Sequence, residues 1–96
     1  MKEQSQYKNE ASEDVMFAED HLSHLIMWND DFNSFDWVIQ TLMEVCNHSQ
    51  EQAEQCSLLI HTKGKYAVKE GCFEKLQPLR VGITDRGISA TIEQLA

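Results

Sequence analysis

Two sets of polar side chains in this sequence have types and positions that could support ligand binding. The first is Asn29-Asp30-Asp31, which follows a short apolar run and precedes a predicted helix. The second is His61, at the end of the apolar face of another predicted helix. Amide, carboxylate and imidazole groups all accept hydrogen bonds. Each set also has a simpler interpretation, because an acidic turn can cap a helix and a histidine near a helix end can interact with the helix dipole.

Catalysis and metal binding find little support in the sequence. No Ser, Cys or Thr stands in a recognisable nucleophile motif, and no glycine-rich phosphate-binding loop occurs. An EF-hand loop beginning at Asp31 would need glycine and glutamate where Asp36 and Leu42 stand. His21 and His24 could bind a metal together with the aspartates, but their spacing in an extended segment places them on opposite faces. We therefore expect no enzyme, no metal site and no cofactor, and a small acidic metal-binding protein is the weaker alternative.

The composition limits the class of protein further. The 96 residues, of which 42% are hydrophobic, are enough for one small folded domain. A net charge of −8 disfavours nucleic acid as a partner and suits a cationic ligand. No apolar run approaches ~18 residues and the polar first residues do not resemble a signal peptide, so we expect no membrane span and a cytoplasmic location. The three cysteines form no CxxC pair, and we expect Cys46 and Cys56 to be small buried hydrophobes.

The chain divides into two unequal parts. Residues 1–20 are rich in acids and lack a strong periodicity, which favours a mobile tail. Residues 21–96 carry the patterns of a folded domain. The apolar run 25–28 predicts a strand, which the following Asn and Asp residues end. Apolar residues at three-and-four spacing over 35–46 predict a helix, with Asn33 or Ser34 as its N-cap.

A second helix and two more strands complete the predicted domain. The helix opens at Ser49 with a Ser-x-x-Gln capping box, has Ala53, Cys56 and Ile60 on its inner face, and ends near Gly64. Strands are predicted at 66–68 and, from alternation, at 88–93. Between these strands Pro78 makes any helix short or kinked. The order predicts an α/β (α+β) fold: a small three-stranded, mostly antiparallel sheet with about three helices on one face.

The segment 25–39 resembles the signature of the ClpS family of Clp protease adaptors. It reads LIMWNDDFNSFDWVI, an apolar strand that runs into Asn-Asp-Asp-aromatic, a short turn, and a helix with an acid, an aromatic and two β-branched residues near its start. The family also has a helix that ends in an apolar residue and histidine followed by Gly-Lys, as in 60–65, and a last strand similar to 90–93. The resemblance covers 22–65 well and the rest weakly.

This resemblance implies recognition of N-degrons, which are free amino termini with a bulky first residue. The α-ammonium group has three donors, and the family's usage assigns their acceptors to Asn29, Asp31 and His61. Asp30 would meet the backbone of the next ligand residue. The first side chain, Leu, Phe, Tyr or Trp, would enter a hydrophobic pocket built from Phe35, Val38, Ser57, Ile60 and Ile88. The family usually has methionine where Phe35 and Ser57 stand, so the pocket is altered at its rim and at one wall.

The resemblance also implies a protein partner, the N-terminal domain of a Clp AAA+ unfoldase of the ClpA or ClpC type. In the family, the region of the third helix helps to dock on that domain. Here the stretch from Phe73 to Ile88 is shorter than usual. The alternative is therefore a ClpS-fold protein-interaction module that regulates the protease, or serves another partner, without substrate delivery. Residues 70–87 are the part of the sequence that distinguishes the two.

Overall fold

The computed structural model describes residues 22–94. Its elements, in chain order, are β1 (Ser23–Trp28), α1 (Phe35–Val45), α2 (Gln50–Lys63), β2 (Lys65–Gly71), α3 (Phe73–Thr84) and β3 (Ala90–Gln94). The tail expected at residues 1–20 lies outside the described part. None of the described helices is long and apolar enough to cross a membrane.

The three strands form one antiparallel sheet in the order β2-β1-β3. Met27 of β1 pairs with Tyr66 on one side and with Ala90 on the other. This central position explains why β1 is apolar along most of its length, since Leu25 and Met27 are completely buried. The predicted fold class, an α+β fold with a three-stranded sheet and three helices, is confirmed.

The pairing of β1 with β2 contains a β-bulge. Leu25 faces Lys69 and Ile26 faces Ala67, so Val68 lies between the two pairs. The Val68 carbonyl lies 3.0 Å from Nε2 of His48, which therefore carries the proton and donates the hydrogen bond. His48 belongs to the connection between α1 and α2. The bulge thus fastens the turn between these two helices to the sheet.

Local signals in the sequence set the start of α1. The Ser34 hydroxyl accepts the backbone N–H of Trp37 at 3.0 Å, so Ser34 is the N-cap. Asn33, the other candidate, instead donates its side-chain amide to Asp30 and to the carbonyl of Gly87.

The start and end of α2 also agree with the sequence. Ser49 and Gln52 form the predicted capping box, in which each side chain accepts the other residue's backbone N–H. Gly64 ends the helix in the left-handed conformation with φ of 90°. The inner face of α2 differs from the expected one, because Ser57 is buried while Cys56 is half-buried. Cys46 is buried as predicted, and this burial raises its pKa to about 11.

The third helix is longer than the sequence indicated. It continues through Pro78 to Thr84. Proline removes one backbone hydrogen bond from a helix interior. Leu76 and Ile83, on either side of it, are buried in the core, and their burial compensates for that loss. The core itself lies between the sheet and the helices and consists of Leu25, Met27, Leu42, Cys46, Ala53, Ile60, Val68, Leu76, Ile83, Ile88 and Ala90.

Candidate functional site

The carboxylate of Asp30 organises the loop between β1 and α1. Its Oδ1 accepts the backbone N–H groups of Phe32 and Asn33 at 2.8 and 2.7 Å, and its Oδ2 accepts the side-chain amide of Asn33 at 2.7 Å. These bonds, above all the one from the Asn33 backbone, lower the pKa of Asp30. The folded loop leaves Asp31 and Phe32 exposed, and Phe32 is 94% accessible to solvent.

The same loop is joined to the end of α2. The backbone N–H of Asn29 donates to the carbonyl of Gly64 at 2.8 Å, and His61 lies in the last turn of α2. The side chains of Asn29, Asp31 and His61 are exposed. Within residues 22–94 no hydrogen bond or ion pair engages these three side chains. Three acceptors are therefore open to solvent around the junction of β1 and α2.

A small depression lies next to this junction; Asn29 lines it, whereas Asp31 and His61 do not. Its volume is about 20 Å³, which is room for a single water molecule. Three aliphatic side chains from separate parts of the fold contribute to it: Val38 from α1, Ile60 from α2, and Ile88 from the segment before β3. The complete lining is Met27, Trp28, Asn29, Asp30, Asn33, Val38, Ile60 and Ile88.

Ile88 is held in place from both sides by the chain around β1. The carbonyl of Gly87 accepts the Asn33 side-chain amide at 3.0 Å. The carbonyl of Ser89 accepts the backbone N–H of Trp28, also at 3.0 Å. Gly87 adopts φ of 85°, a left-handed conformation in which glycine is unstrained. The position of Ile88 is therefore supported by hydrogen bonds from the loop between β1 and α1 and from the end of β1.

The turn before Ile88 is also fastened to α1. The Trp37 indole N–H donates to the carbonyl of Arg86 at 3.0 Å, and the Arg86 guanidinium stacks 5.4 Å from the centre of the Trp37 ring. Arg86 also donates to Glu44 at 2.6 Å, and this bond lowers the pKa of Glu44. These contacts hold the turn after α3 against the Trp37 and Glu44 side chains of α1.

Trp28 forms a fixed edge of the depression. Its indole N–H donates to the hydroxyl of Thr91 at 2.9 Å, and the ammonium of Lys65 lies 4.7 Å from the ring centre. Both contacts come from the neighbouring strands β2 and β3. The indole is therefore held across the sheet.

The possible metal ligands are not gathered in the described part of the chain. Residues 22–94 contain no group of three or more His, Cys, Asp or Glu side chains that could hold a metal ion. His24, one of the candidates, instead lies 3.4 Å from Glu70. His21, the other histidine, lies outside the described residues.

Comparison with known proteins places this geometry in a family. A family model described as "ATP-dependent Clp protease adaptor protein ClpS" matches residues 18–90. The chain belongs to the ClpS family. The match extends through α3 into β3, well beyond the range in which the signature is clear in the sequence.

Curated members of the ClpS family are similar over part of their length. The ClpS adapter protein of Wolinella succinogenes is 30% identical over 61 residues, which are 64% of this chain and 60% of that protein. The one of Treponema denticola is 34% identical over 68 residues, 71% of this chain and 65% of that protein. The chain thus spans about three fifths of the length of these curated relatives.

A solved ClpS structure shares the fold. It is Agrobacterium tumefaciens ClpS2 bound to L-phenylalaninamide. Its TM-score is 0.66 at 16% sequence identity, and the match covers 77% of this chain and 96% of that one. This likeness shows that the strand order and helices are those of the ClpS fold.

The structure brings together only part of the pocket that the ClpS resemblance predicts. Val38, Ile60 and Ile88 line the depression, whereas Phe35 and Ser57 do not. Phe35 is the first residue of α1 and is 45% exposed, as a residue at a rim would be. Ser57 is only 2% exposed and lies on the same buried face of α2 as Ile60, one turn before it. Its hydroxyl has no hydrogen-bond partner among the described residues.

Three further residues line the depression, Met27, Trp28 and Asn33, and of these the sequence indicated only Trp28, as a core or pocket-edge residue. Met27 and Trp28 end the buried strand that precedes the polar tripeptide, and this position could have indicated a role. Asn33 was considered only as an N-cap. The Asp-x-x-Asn spacing from Asp30 is a local signal for the loop hydrogen bonds, since aspartate often accepts from backbone N–H groups two or three residues later.

Proposed function

We propose that this chain is an adaptor that binds the free α-amino group and bulky hydrophobic first residue of N-degron substrates and delivers them to a Clp AAA+ unfoldase. One observation carries the proposal: the acceptors Asn29, Asp31 and His61 are open to solvent, and Asn29 also lines a depression with aliphatic walls. An ammonium group offers three donors and a positive charge, which match an amide oxygen, a carboxylate and an imidazole nitrogen. The ligand of Agrobacterium ClpS2, L-phenylalaninamide, has this combination of an α-amino group and a bulky side chain.

Asp30 has a limited capacity for ligand in this scheme. An ionised carboxylate has about four acceptor positions. Three hydrogen bonds within the loop already use Asp30, two from backbone N–H groups and one from Asn33. One position is left for a backbone N–H of the second ligand residue. The main task of Asp30 is therefore to shape the loop that presents Asn29 and Asp31.

The first side chain of the ligand would enter between Val38, Ile60 and Ile88, with Phe35 at the rim. The depression has room for about one water molecule, so its walls have to separate when a phenyl ring enters. Burial of a Leu or Phe side chain contributes about 1.5–3 kcal/mol. An internal peptide segment has no ammonium group and would leave the three acceptors unpaired, which excludes it.

Ser57 would favour aromatic first residues within the same pocket. Its side chain is shorter than the methionine usual in the family, so a pocket that opens toward Ser57 would be deeper next to Ile60. A short Leu side chain would leave that space empty, whereas Phe, Tyr or Trp can fill it. The Ser57 hydroxyl, which lacks a partner among the described residues, can bond the Tyr hydroxyl or the Trp N–H. We expect Tyr, Trp and Phe to bind above Leu.

Fluorescence anisotropy with a labelled Phe-first peptide and its acetylated counterpart tests the binding step. Acetylation removes the charge and two donors, so affinity should fall by well over about tenfold, the loss expected for one charged hydrogen bond. His61→Ala should weaken the free peptide and leave the acetylated one unchanged. His24→Ala is the matched control, since His24 lies against Glu70 and away from the depression. Equal affinity for the two peptides would rule out this binding mode.

Delivery requires a second surface, for which α3 is the candidate. Phe73, its first residue, is 52% exposed. It lies in an open groove of about 350 Å³ between α3 and β3, lined by Phe73, Gln77, Arg80, Ala90, Thr91 and Ile92. A pull-down with the N-terminal domain of a ClpA-type or ClpC-type unfoldase tests this step, with Phe73→Ala as the variant expected to lose the complex. Peptide binding without capture of either domain would favour the alternative, a ClpS-fold interaction module without substrate delivery.

A further inference from the structure

We infer that Asn33 is a positioning residue that ties the loop between β1 and α1 to Ile88, one wall of the proposed pocket. Through this link Asn33 sets the selectivity for the first side chain of the peptide ligand. The inference rests on the proposed function, because it concerns the same site. Asn33 itself lines the depression, and the role assigned to it is exerted through Gly87 on the position of Ile88.

The side-chain amide of Asn33 has two N–H groups, and both are used. One donates to Oδ2 of Asp30 at 2.7 Å and the other to the carbonyl of Gly87 at 3.0 Å. The backbone N–H of Asn33 also donates to Asp30, at 2.7 Å. A single residue thus connects the loop after β1 with the turn after α3, across 54 positions of sequence.

Ile88 depends on this connection for its position. Its own backbone N–H reaches the carbonyl of Ile83 only at 3.4 Å, which is long for a hydrogen bond. The stronger attachments are at the neighbouring residues, where Asn33 holds Gly87 and Trp28 holds Ser89. Removal of the Asn33 amide takes away the bond to the Gly87 carbonyl next to Ile88, while the Gly87 N–H keeps its bond to Thr84 at 3.0 Å and Trp37 still holds Arg86.

Selectivity follows from the size of the pocket. Ile88 is one of three aliphatic walls around a space of about 20 Å³. Dispersion contacts weaken steeply when a gap of about 0.5–1 Å opens. A large, rigid ring touches all three walls at once, whereas a Leu side chain touches fewer and can adjust its rotamer. Displacement of Ile88 should therefore cost a Phe-first ligand more than a Leu-first ligand.

Asn33→Asp is the decisive variant because it keeps the shape and removes the donors. Its carboxylate would face the carboxylate of Asp30 and the carbonyl of Gly87, so both attachments become repulsive. Affinity for a Phe-first peptide should fall at least about tenfold, the equivalent of one charged hydrogen bond. The ratio of Phe-first to Leu-first affinity should move toward one by about threefold or more, because a Phe ring loses more contact with Ile88 than a Leu side chain does.

Ser34→Ala is the matched control for loss of stability alone. It removes the N-cap bond to Trp37 and touches neither Asp30 nor Gly87. A lower folded fraction weakens every ligand by the same factor, so the Phe-to-Leu ratio should not change in this variant. If Asn33→Asp likewise weakens both peptides equally, Asn33 has only a structural role and the inference is overturned.

A measurement without ligand separates this inference from the proposed function. Amide hydrogen exchange at Ile88 should be faster in Asn33→Asp than in Ser34→Ala under conditions of equal global stability, because the variant releases Gly87 locally. Unchanged exchange at Ile88 would contradict the link between loop and turn. Equal binding of free and acetylated peptides by the unsubstituted protein would instead contradict the proposed function.

Discussion

The backbone N–H of Asn29 donates a hydrogen bond of 2.8 Å to the carbonyl of Gly64. This bond joins the last residue before the acidic loop to the residue that ends α2. It brings the loop acceptors and His61 to the same end of the fold. The left-handed conformation of Gly64 is what turns its carbonyl toward Asn29.

Replacement of Gly64 by alanine should affect both stability and binding. Its φ of 90° is strained for a residue with a side chain, and we expect the free energy of unfolding to fall by about 1–2 kcal/mol. Ligand affinity should fall as well, since Asn29 loses its attachment to α2. Urea denaturation and peptide anisotropy measure the two effects.

Gly71→Ala is the control for that substitution. Gly71 has no positive φ, and an added methyl group would meet Leu76 Cδ2 at an ordinary 3.9 Å. Stability should change by no more than about 0.5 kcal/mol, and binding should not change. A similar loss in both glycine variants would show that the backbone conformation of Gly64 is not the cause.

Ser57→Met should shift the ligand preference from aromatic side chains toward Leu. The longer side chain would occupy the end of the proposed pocket beside Ile60, and we expect the relative free energy of binding to change by about 1 kcal/mol, the contribution of a methylene group or two. Competition binding with Leu-first, Phe-first and Tyr-first peptides gives the ranking before and after the substitution.

Ser57→Ala separates the effect of space from that of the hydroxyl. It keeps the side chain short and removes only the oxygen, which has no hydrogen-bond partner among the described residues. A preference for Tyr over Phe should disappear in this variant, while the preference for aromatic residues over Leu persists. If Leu already binds best to the unsubstituted protein, Ser57 does not adjoin the ligand.

Protonation of His48 should lower the free energy of unfolding as the pH falls below about 6.5. Burial is the main cause that lowers its pKa below the ordinary value of 6.5, with Lys69 adding to the effect. Protonation would place a donor on Nδ1, which is buried without a partner in the described part of the chain. Since the unfolded chain then binds the proton more readily, the stabilisation present above pH 6.5 is lost as the pH falls through the folded pKa.

Thermal denaturation of the unsubstituted protein and of His48→Gln at several pH values tests this. Glutamine can still donate to the Val68 carbonyl but does not titrate, so its stability should change less between pH of about 7.5 and about 5.5. Carboxylates with lowered pKa, such as Asp30, titrate below this window. Parallel pH profiles for the two proteins would exclude His48 as the source.

Cys46 should resist thiol reagents until the protein unfolds. Burial raises its pKa to about 11, so hardly any thiolate exists at neutral pH. Labelling at pH of about 8 should be roughly a hundredfold slower than for a small free thiol. A variant with Cys56→Ser and Cys72→Ser isolates the signal of Cys46. Fast labelling of the native variant would show that the region opens frequently.

The sequence predicted those features that depend on neighbouring residues. Caps at Ser34, Ser49 and Gly64 rest on side-chain or backbone bonds within a few positions, and each is found in the structure. The alternation that predicted the last strand also agrees, since Ile88 and Ala90 are buried while their neighbours are exposed. The family signature supplied the acceptor residues, which the structure leaves open to solvent.

Features that depend on distant partners could not be predicted. The bond from Asn33 to Gly87 joins residues far apart in the sequence, and no local pattern encodes it. The length of α3 was underestimated because the core contacts of Leu76 and Ile83, which outweigh the effect of Pro78, are also long-range. The burial of Ser57 depends on the angle at which α2 packs, which the periodicity of one helix does not give.

The central place of β1 in the sheet has a consequence for synthesis of the protein. Ile88 lies just before β3, which pairs with β1 over more than sixty intervening positions, as in Met27 with Ala90. A nascent chain that has formed α1 and α2 still lacks this wall of the pocket. Such distant contacts form late in folding because a long loop must close first. The position of Ile88 is thus fixed only after β3 has been synthesised and has paired with β1.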